Sequence, residues 1–306
     1  MLKKLFHAVV AALLIGVLPS ARADAPGGGQ PQMTAEQFMA SLHFQSGKID
    51  LPGGIAALDL PPSFRYLNPS DANRVLVDAW RNPPGFTTLG MIFPSDVSPL
   101  SQEGWGVVIT YQDDGHVNDD DASKIDYNDL LKQMKEGAEE DSKERVKQGY
   151  SAMQLAGWAE DPHYDQATHK LYWALDYSPG DSKEHTLNYN IRVLGRKGVL
   201  VLNAVAGMNQ IASIKTEMQK VVAFTEFKPG NGYADFNSGT DKVAEYGIAA
   251  LVAGGVAAKL GLFAKLFAVL LAFKKAIIIG IIAVVAAIKK LLGLKKKEEP
   301  APETHE

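Results

Sequence analysis

Thirteen consecutive residues near the C-terminus, Ala276–Ile288 (AIIIGIIAVVAAI), carry no polar side chain, and Lys274, Lys275, Lys289 and Lys290 flank them. A helix that is apolar around its whole circumference has no face to show to water, so it belongs in a bilayer rather than on a soluble domain. That stretch alone falls short of the roughly 20 residues that span the hydrocarbon. Continuing to Leu294 reaches the length, and the flanking lysines reach back to the headgroups along their own stems. Residues 276–294 are therefore expected to form a transmembrane helix, and residues 295–306 a charged, Pro-containing tail.

The other end carries a second address signal. Lys3 and Lys4 precede an apolar stretch, Leu5–Leu18, and Ala21-Arg22-Ala23 supplies an A-x-A cleavage site, so residues 1–23 read as a signal peptide. Residues 24–32, rich in Pro, Gly and Gln, read as a linker. Between the two ends, residues 33–242 are expected to be the exported folded domain. Residues 243–275 are rich in Gly and Ala and interrupted by Lys259 and Lys265. They fit a membrane-proximal helical segment or a first membrane span. One span leaves Lys295–Lys297 in the cytoplasm, in keeping with the positive-inside tendency, whereas two return them outside. The single span is the favoured topology, with two spans as the alternative.

Charge separates the same regions. The formal net charge of −4 divides into +3 over residues 1–23, −11 over 24–242 and +4 over 243–306. An acidic body argues against nucleic acid as a partner, because phosphate binding needs an excess of Lys and Arg. The absence of cysteine removes thiol catalysis, disulfides and cysteine-ligated metal.

The body's periodicity predicts an α+β fold in which helices pack an antiparallel sheet. A Pro-Gly-Gly turn divides alternating runs within 47–68, and Ser70–Trp80 has helical spacing with Ser70 or Asp71 as cap. Strands are expected at about 89–93 and 105–111. Residues 126–148 form the strongest helix, with Tyr127, Leu130, Leu131, Met134 and Ala138 on one face. Strands return at 152–158, 170–177, 186–193 and 199–206, the last a central one, and a helix over 209–224 closes the domain. This order is similar to the Mog1/PsbP-like sandwich.

Three stretches carry candidate chemistry. Asp113–Asp121 is an acidic turn whose spacing departs from a calcium-binding EF-hand loop, so no metal site is assigned. GWAEDPHYD gathers Glu160, Asp161, His163, Tyr164 and Asp165 around Pro162, which reads as a turn, with His169 close by; a histidine beside carboxylates can serve as a general base. In TLNYNIRV, strand alternation sends Leu187, Tyr189, Ile191 and Val193 to one face and Asn188, Asn190 and Arg192 to the other. Two amides and a guanidinium in a row make a polar floor for a carboxylate or phosphate; the alternative is a covered or wet sheet face with Arg192 paired to an acidic neighbour. The ligand-binding candidates are thus Asn188, Asn190, Arg192 and His163. There is no H-E-x-x-H, P-loop or nucleophile elbow, so no catalytic residue is assigned and no cofactor is expected.

Several runs, LGMIFPSDVSPL (89–100), WGVVITYQDDGHVNDDDA (105–122), GWAEDPHYD (157–165), TLNYNIRVLGRKGVLVLNAVAGM (186–208) and YADFNSGTDKVAEYG (233–247), resemble a bacterial family of membrane-anchored proteins of unknown function, domain-of-unknown-function family 2167. The resemblance implies an exported, tethered domain at the bacterial inner membrane, with its body on the periplasmic or extracytoplasmic side. It supplies no catalytic or binding residue. The expected function is a non-enzymatic, membrane-tethered envelope module that binds a protein, peptide or envelope component. The alternatives are a hydrolase using the His163/Asp165 region and an accessory of membrane transport.

Overall fold

The computed structural model describes residues 33–180 and 183–254, and in it the short apolar runs become ten strands. In chain order these are β1 (Gly47–Asp50), β2 (Ala56–Leu60), β3 (Phe64–Leu67), β4 (Gly90–Pro94), β5 (Gly106–Gln112), β6 (Met153–Asp165), β7 (Lys170–Pro179), β8 (Thr186–Leu194), β9 (Val199–Gly207) and β10 (Thr225–Phe227). Every strand pairing is antiparallel. Seven strands form one sheet in the order β3-β4-β5-β9-β8-β7-β6, with β9 and β8 inside it as their near-continuous burial requires. The remaining three form a second sheet, β1-β2-β10, where a single sheet had been expected. The second sheet exists because the chain leaving the closing helix extends for three residues and pairs with β2, Thr225 opposite Leu58.

Five helices accompany the sheets: α1 (Ala35–Ala40), α2 (Pro69–Arg74), α3 (Tyr127–Lys147), α4 (Ile211–Ala223) and α5 (Ile248–Ala253). A capping box between Thr34 and Gln37 starts α1. The cap of α2 is Asn68, whose side chain accepts from the N–H groups of Ser70 and Asp71, rather than either of those residues. Pro69 is the reason: its fixed φ suits the first helical position, and so draws the helix start back. The helix then widens into a π-type turn over Val75–Ala79. Asp126 caps α3 as its sequence requires.

The large sheet has helices or strands over both faces. On one face, α4 and the three-stranded sheet bury Leu187, Tyr189 and Ile191 of β8 together with Leu58, Ile214 and Met218. The opposite face carries two apolar clusters. Trp80, Phe93, Met91 and Val108 gather beneath α2 at the β3-β4-β5 end, and Trp173, Leu171 and Leu175 gather with residues of α3 and α5 at the β6-β7 end.

Two sequence expectations are corrected by this arrangement. The stretch around Pro162 continues as strand β6 to Asp165 instead of turning. β6 is an edge strand, and its register shifts between Glu160 and His163, so a residue without an N–H costs no ladder bond there. The folded body also continues past residue 242: Ala244, Ile248, Leu251 and Val252 are buried in the cluster with Trp173. Among the described residues no helix is long and apolar enough to cross a membrane. The expected signal peptide and linker (1–32) and everything from residue 255 onward, including the expected transmembrane helix 276–294, lie outside the described residues.

Candidate functional site

β8 is buried at all nine of its positions, yet Thr186, Asn188, Asn190 and Arg192 are polar. Asn188, Asn190 and Arg192, at 2%, 3% and 5% exposure, project toward the face that carries the two flanking apolar clusters. Strand register extends this polar row sideways. Asn190 stands opposite Asn203 of β9 and Trp173 of β7, and Arg192 stands opposite Val201 and Leu171. One strand further out, Val201 faces Thr110 and Val199 faces Gln112 of β5. A polar band therefore crosses β5, β9, β8 and β7 between two greasy shoulders.

Side-chain bonds satisfy part of the band. Arg192 Nη1 donates to Asn190 Oδ1 at 3.3 Å, Asn190 Nδ2 to the Asn188 carbonyl at 3.0 Å, and Asn203 Nδ2 to Asn188 Oδ1 at 3.2 Å. The guanidinium carbon lies 4.6 Å from the centroid of the Trp173 ring, a cation–π contact. Four buried atoms of the band remain without a hydrogen-bond partner among the described residues: Arg192 Nε, Trp173 Nε1, Asn203 Oδ1 and Gln112 Oε1. Two are donors and two are acceptors, one on each of four adjacent strands. No carboxylate among the described residues forms a salt bridge to Arg192. Burial pulls its guanidinium down to about 9, partly offset by the nearby Tyr246 phenol. It is still protonated at neutral pH, so the domain holds an unneutralised charge in its interior, a costly arrangement.

Sequence alternation identified the β8 row but missed its lateral extension. Asn203 had a visible signal, as the one polar residue within the apolar run VLVLNAVA. Gln112 and Trp173 had none, because their place in the band depends on strand order.

His163 lies elsewhere. It stands opposite Tyr172 and stacks on its ring, with centroids 5.2 Å apart, and Tyr172 belongs to the core on the other face of the sheet. Asp165 serves its own hairpin turn, accepting from Thr168 Oγ1 at 2.7 Å and the Ala167 N–H at 2.9 Å. Glu160 pairs with Lys215 of α4 at 2.9 Å. Of the residues drawn from GWAEDPHYD, Glu160, His163 and Asp165 do not converge with Arg192, whereas Tyr164 stands opposite Leu171 on the Arg192 face. An open groove of about 540 Å³ runs beside Trp158 and Asp161, along the start of α3 at Lys124–Asn128.

The acidic turn is not a free solvated loop. Among the described residues no group of three or more His, Asp or Glu side chains is placed to hold a metal ion. The turn's carboxylates instead grip the chain leading into α5. Asp114 accepts from the Tyr246 hydroxyl at 2.7 Å, Asp119 from those of Tyr164 and Tyr233 at 2.6 and 3.1 Å, and Asp121 from the Ile248 N–H at 3.1 Å. Four rings stack alongside in the order His169, Tyr233, His116, Phe236, with successive centroids 4.0, 4.3 and 3.9 Å apart. Hydrogen bonds from Tyr164, Tyr233 and His169 hold Asp119 below the usual carboxylate range against the opposing effect of burial. This clasp fixes the segment carrying Tyr246 beside Arg192.

A protein-family model described as "Protein of unknown function (DUF2167)" matches residues 43–285. No curated protein matches the chain. Among solved structures, the solution structure of cyanobacterial PsbP (CyanoP) from Synechocystis sp. PCC 6803 aligns at 12% identity and a TM-score of 0.32, covering 67% of this chain and 100% of that one. The crystal structure of the Saccharomyces cerevisiae Ran-binding protein Mog1p aligns at 10% identity and a TM-score of 0.32, covering 61% and 96%.

Proposed function

Since the chain belongs to the family of proteins of unknown function DUF2167, a membership that brings no chemistry with it, we propose from its own residues that it is a non-enzymatic binding module. It is exported, tethered to the bacterial inner membrane by the apolar segment 276–294, and carries its acidic domain on the periplasmic side. Its partner is an envelope protein, peptide or other envelope component with an anionic group, which it holds on the Asn188-Asn190-Arg192 band. The observation that carries this reading is the buried guanidinium of Arg192, stacked on Trp173 and, among the described residues, bonded only to a neutral amide. A charge held inside a domain without a counter-charge lowers stability, and residues kept at such a cost are characteristic of sites that meet a ligand.

The hydrolase alternative has less support, because His163 stacks on the far side of the sheet and the Asp165 carboxylate is engaged in its own turn. The transport alternative builds on a glycine-rich helix over residues 246–264, and α5 within that stretch packs into the domain.

Photo-crosslinking in intact cells tests the proposal, with the crosslinker at Thr110 beside the band and, as control, at His163. The expected result is a discrete partner captured from Thr110 and lost in Arg192→Gln. Equal capture in wild type and variant, or recovery of the unprocessed chain from the cytosol, overturns it.

A further inference from the structure

The four unpartnered atoms state what a ligand must bring, and this step rests on the band being the binding site. Arg192 spends Nη1 on Asn190 and leaves its buried Nε without a partner among the described residues, and its guanidinium carbon lies 4.6 Å from the centroid of the Trp173 ring, whose indole N–H is unpartnered as well. A planar oxyanion matches the Nε edge of the guanidinium fork side-on. Asn203 and Gln112 each contribute a buried oxygen without a donor, so the same molecule has to carry N–H groups. The band holds one positive charge, and the neighbouring ionisable group is the Tyr246 phenol rather than a second cation. One guanidinium balances a carboxylate better than a doubly charged phosphate. From β5 to β7 is three inter-strand steps, about 14 Å at the usual spacing, and Gln112 lies four residues along from the row of Asn203, Asn190 and Trp173, so the diagonal is about 20 Å, the length of about six residues of extended chain.

We propose that the band on β5, β9, β8 and β7 binds a short, extended peptide-like molecule bearing one carboxylate, with the carboxylate on Arg192 and Trp173 and backbone N–H groups on Asn203 and Gln112. The carboxylate can come from an acidic side chain or from a chain terminus, and both present the same planar group to the fork.

The test uses the full-length chain in detergent micelles and four probes: acetyl-Ala-Glu-Ala-amide, acetyl-Ala-Ala-Ala with a free terminus, acetyl-Ala-Gln-Ala-amide and inorganic phosphate. Binding is followed by titration and by the indole N–H resonance of Trp173, assigned with Trp173→Phe. At least one carboxylate peptide should move that resonance, and the glutamine peptide and phosphate should not. Affinity should fall about tenfold to a hundredfold in Arg192→Gln, the loss expected for a charge-assisted hydrogen bond. Arg192→Lys keeps the charge but not the fork; it should also bind more weakly, and it maintains the test if the glutamine variant fails to fold. Equal binding of phosphate or of the neutral peptide overturns the ligand class, as does failure of all four probes. In either case the melting temperature of Arg192→Gln separates this inference from the reading beneath it. An unchanged or raised value leaves the binding module standing, whereas a fall of several degrees shows that Arg192 serves packing and removes both.

Discussion

His163 and Arg192 project from opposite faces of the seven-stranded sheet, the first stacked on Tyr172 and the second on Trp173. With a sheet between them they cannot share a substrate. His163→Ala should therefore leave capture of a partner at the Arg192 band unchanged within about twofold, and it should move stability little because the side chain is exposed. Asp165→Ala should cost about 1 kcal/mol by removing the acceptor that closes the β6-β7 turn. Denaturant unfolding and partner crosslinking of the two variants check both statements.

Acid should loosen the clasp before it unfolds the sheet. His116 lies between Tyr233 and Phe236 with its Nδ1 buried and unpartnered, and burial depresses its pKa below the ordinary histidine value. Asp119, His169 and the Gly195 and Arg196 backbone are the other groups acting on it. A depressed histidine stays neutral in the folded chain while its unfolded counterpart takes up a proton. Stability should thus be level above about pH 7 and decline as pH falls below about 6.5. Asp119 is also depressed and its linkage has the same sign at lower pH: its contribution is complete above its unfolded value and is lost at more acidic pH, as the folded carboxyl takes up its proton. His116→Phe retains a stacking ring without a titrating group and should flatten the first decline alone. Melting temperature measured against pH checks this.

How much of this was legible beforehand depended on whether the signal was local. The α3 stripe and the alternation of β8 are written in neighbouring residues, and each appears where its spacing put it. Pro162 misled because a proline argues for a turn only where the strand needs every N–H, and β6 runs along an edge. The polar band required strand order: Gln112, Trp173, Arg192 and Asn203 lie up to 91 positions apart in sequence and meet only when β9 inserts between β5 and β8. The acidic turn looked like a surface loop because its partners, Tyr233, Tyr246 and the N–H of Ile248, come more than a hundred residues later.

Gly90 opens β4 at a φ of +123°, and a Cβ there would run into the Tyr66 ring and the Leu67 carbonyl oxygen. Backbone and packing penalties therefore add at one position. Tyr66 cannot swing aside freely, because its hydroxyl donates to the Leu89 carbonyl at 2.6 Å. Gly90→Ala should destabilise the domain by roughly 3 kcal/mol or more. Gly54→Ala, at a positive φ but facing open space, should cost only about 1 kcal/mol. Equal effects in urea unfolding would show that the β3-β4 contact yields more easily than its geometry indicates.

Composition alone places the end of the folded domain near residue 242, where the chain turns rich in Gly and Ala. Leu251, at 1% exposure, instead packs with Trp173, Leu171 and Ile248, beneath the same shoulder that borders Arg192. Leu251→Ala removes buried methyl groups and leaves a cavity that α5, only six residues long, can partly close by shifting. The expected loss is about 2–5 kcal/mol, toward the lower end if α5 relaxes. Were residues beyond 242 only a leader to the membrane, the same substitution would change stability by less than about 0.5 kcal/mol. The variant also carries information about the site. Because α5 lies against Trp173, loosening it should raise solvent access to the indole, and acrylamide quenching of tryptophan emission should increase in Leu251→Ala. An equivalent deletion in the far core, Met218→Ala, should match its loss of stability without that change in quenching, since Met218 packs on the opposite face of the sheet.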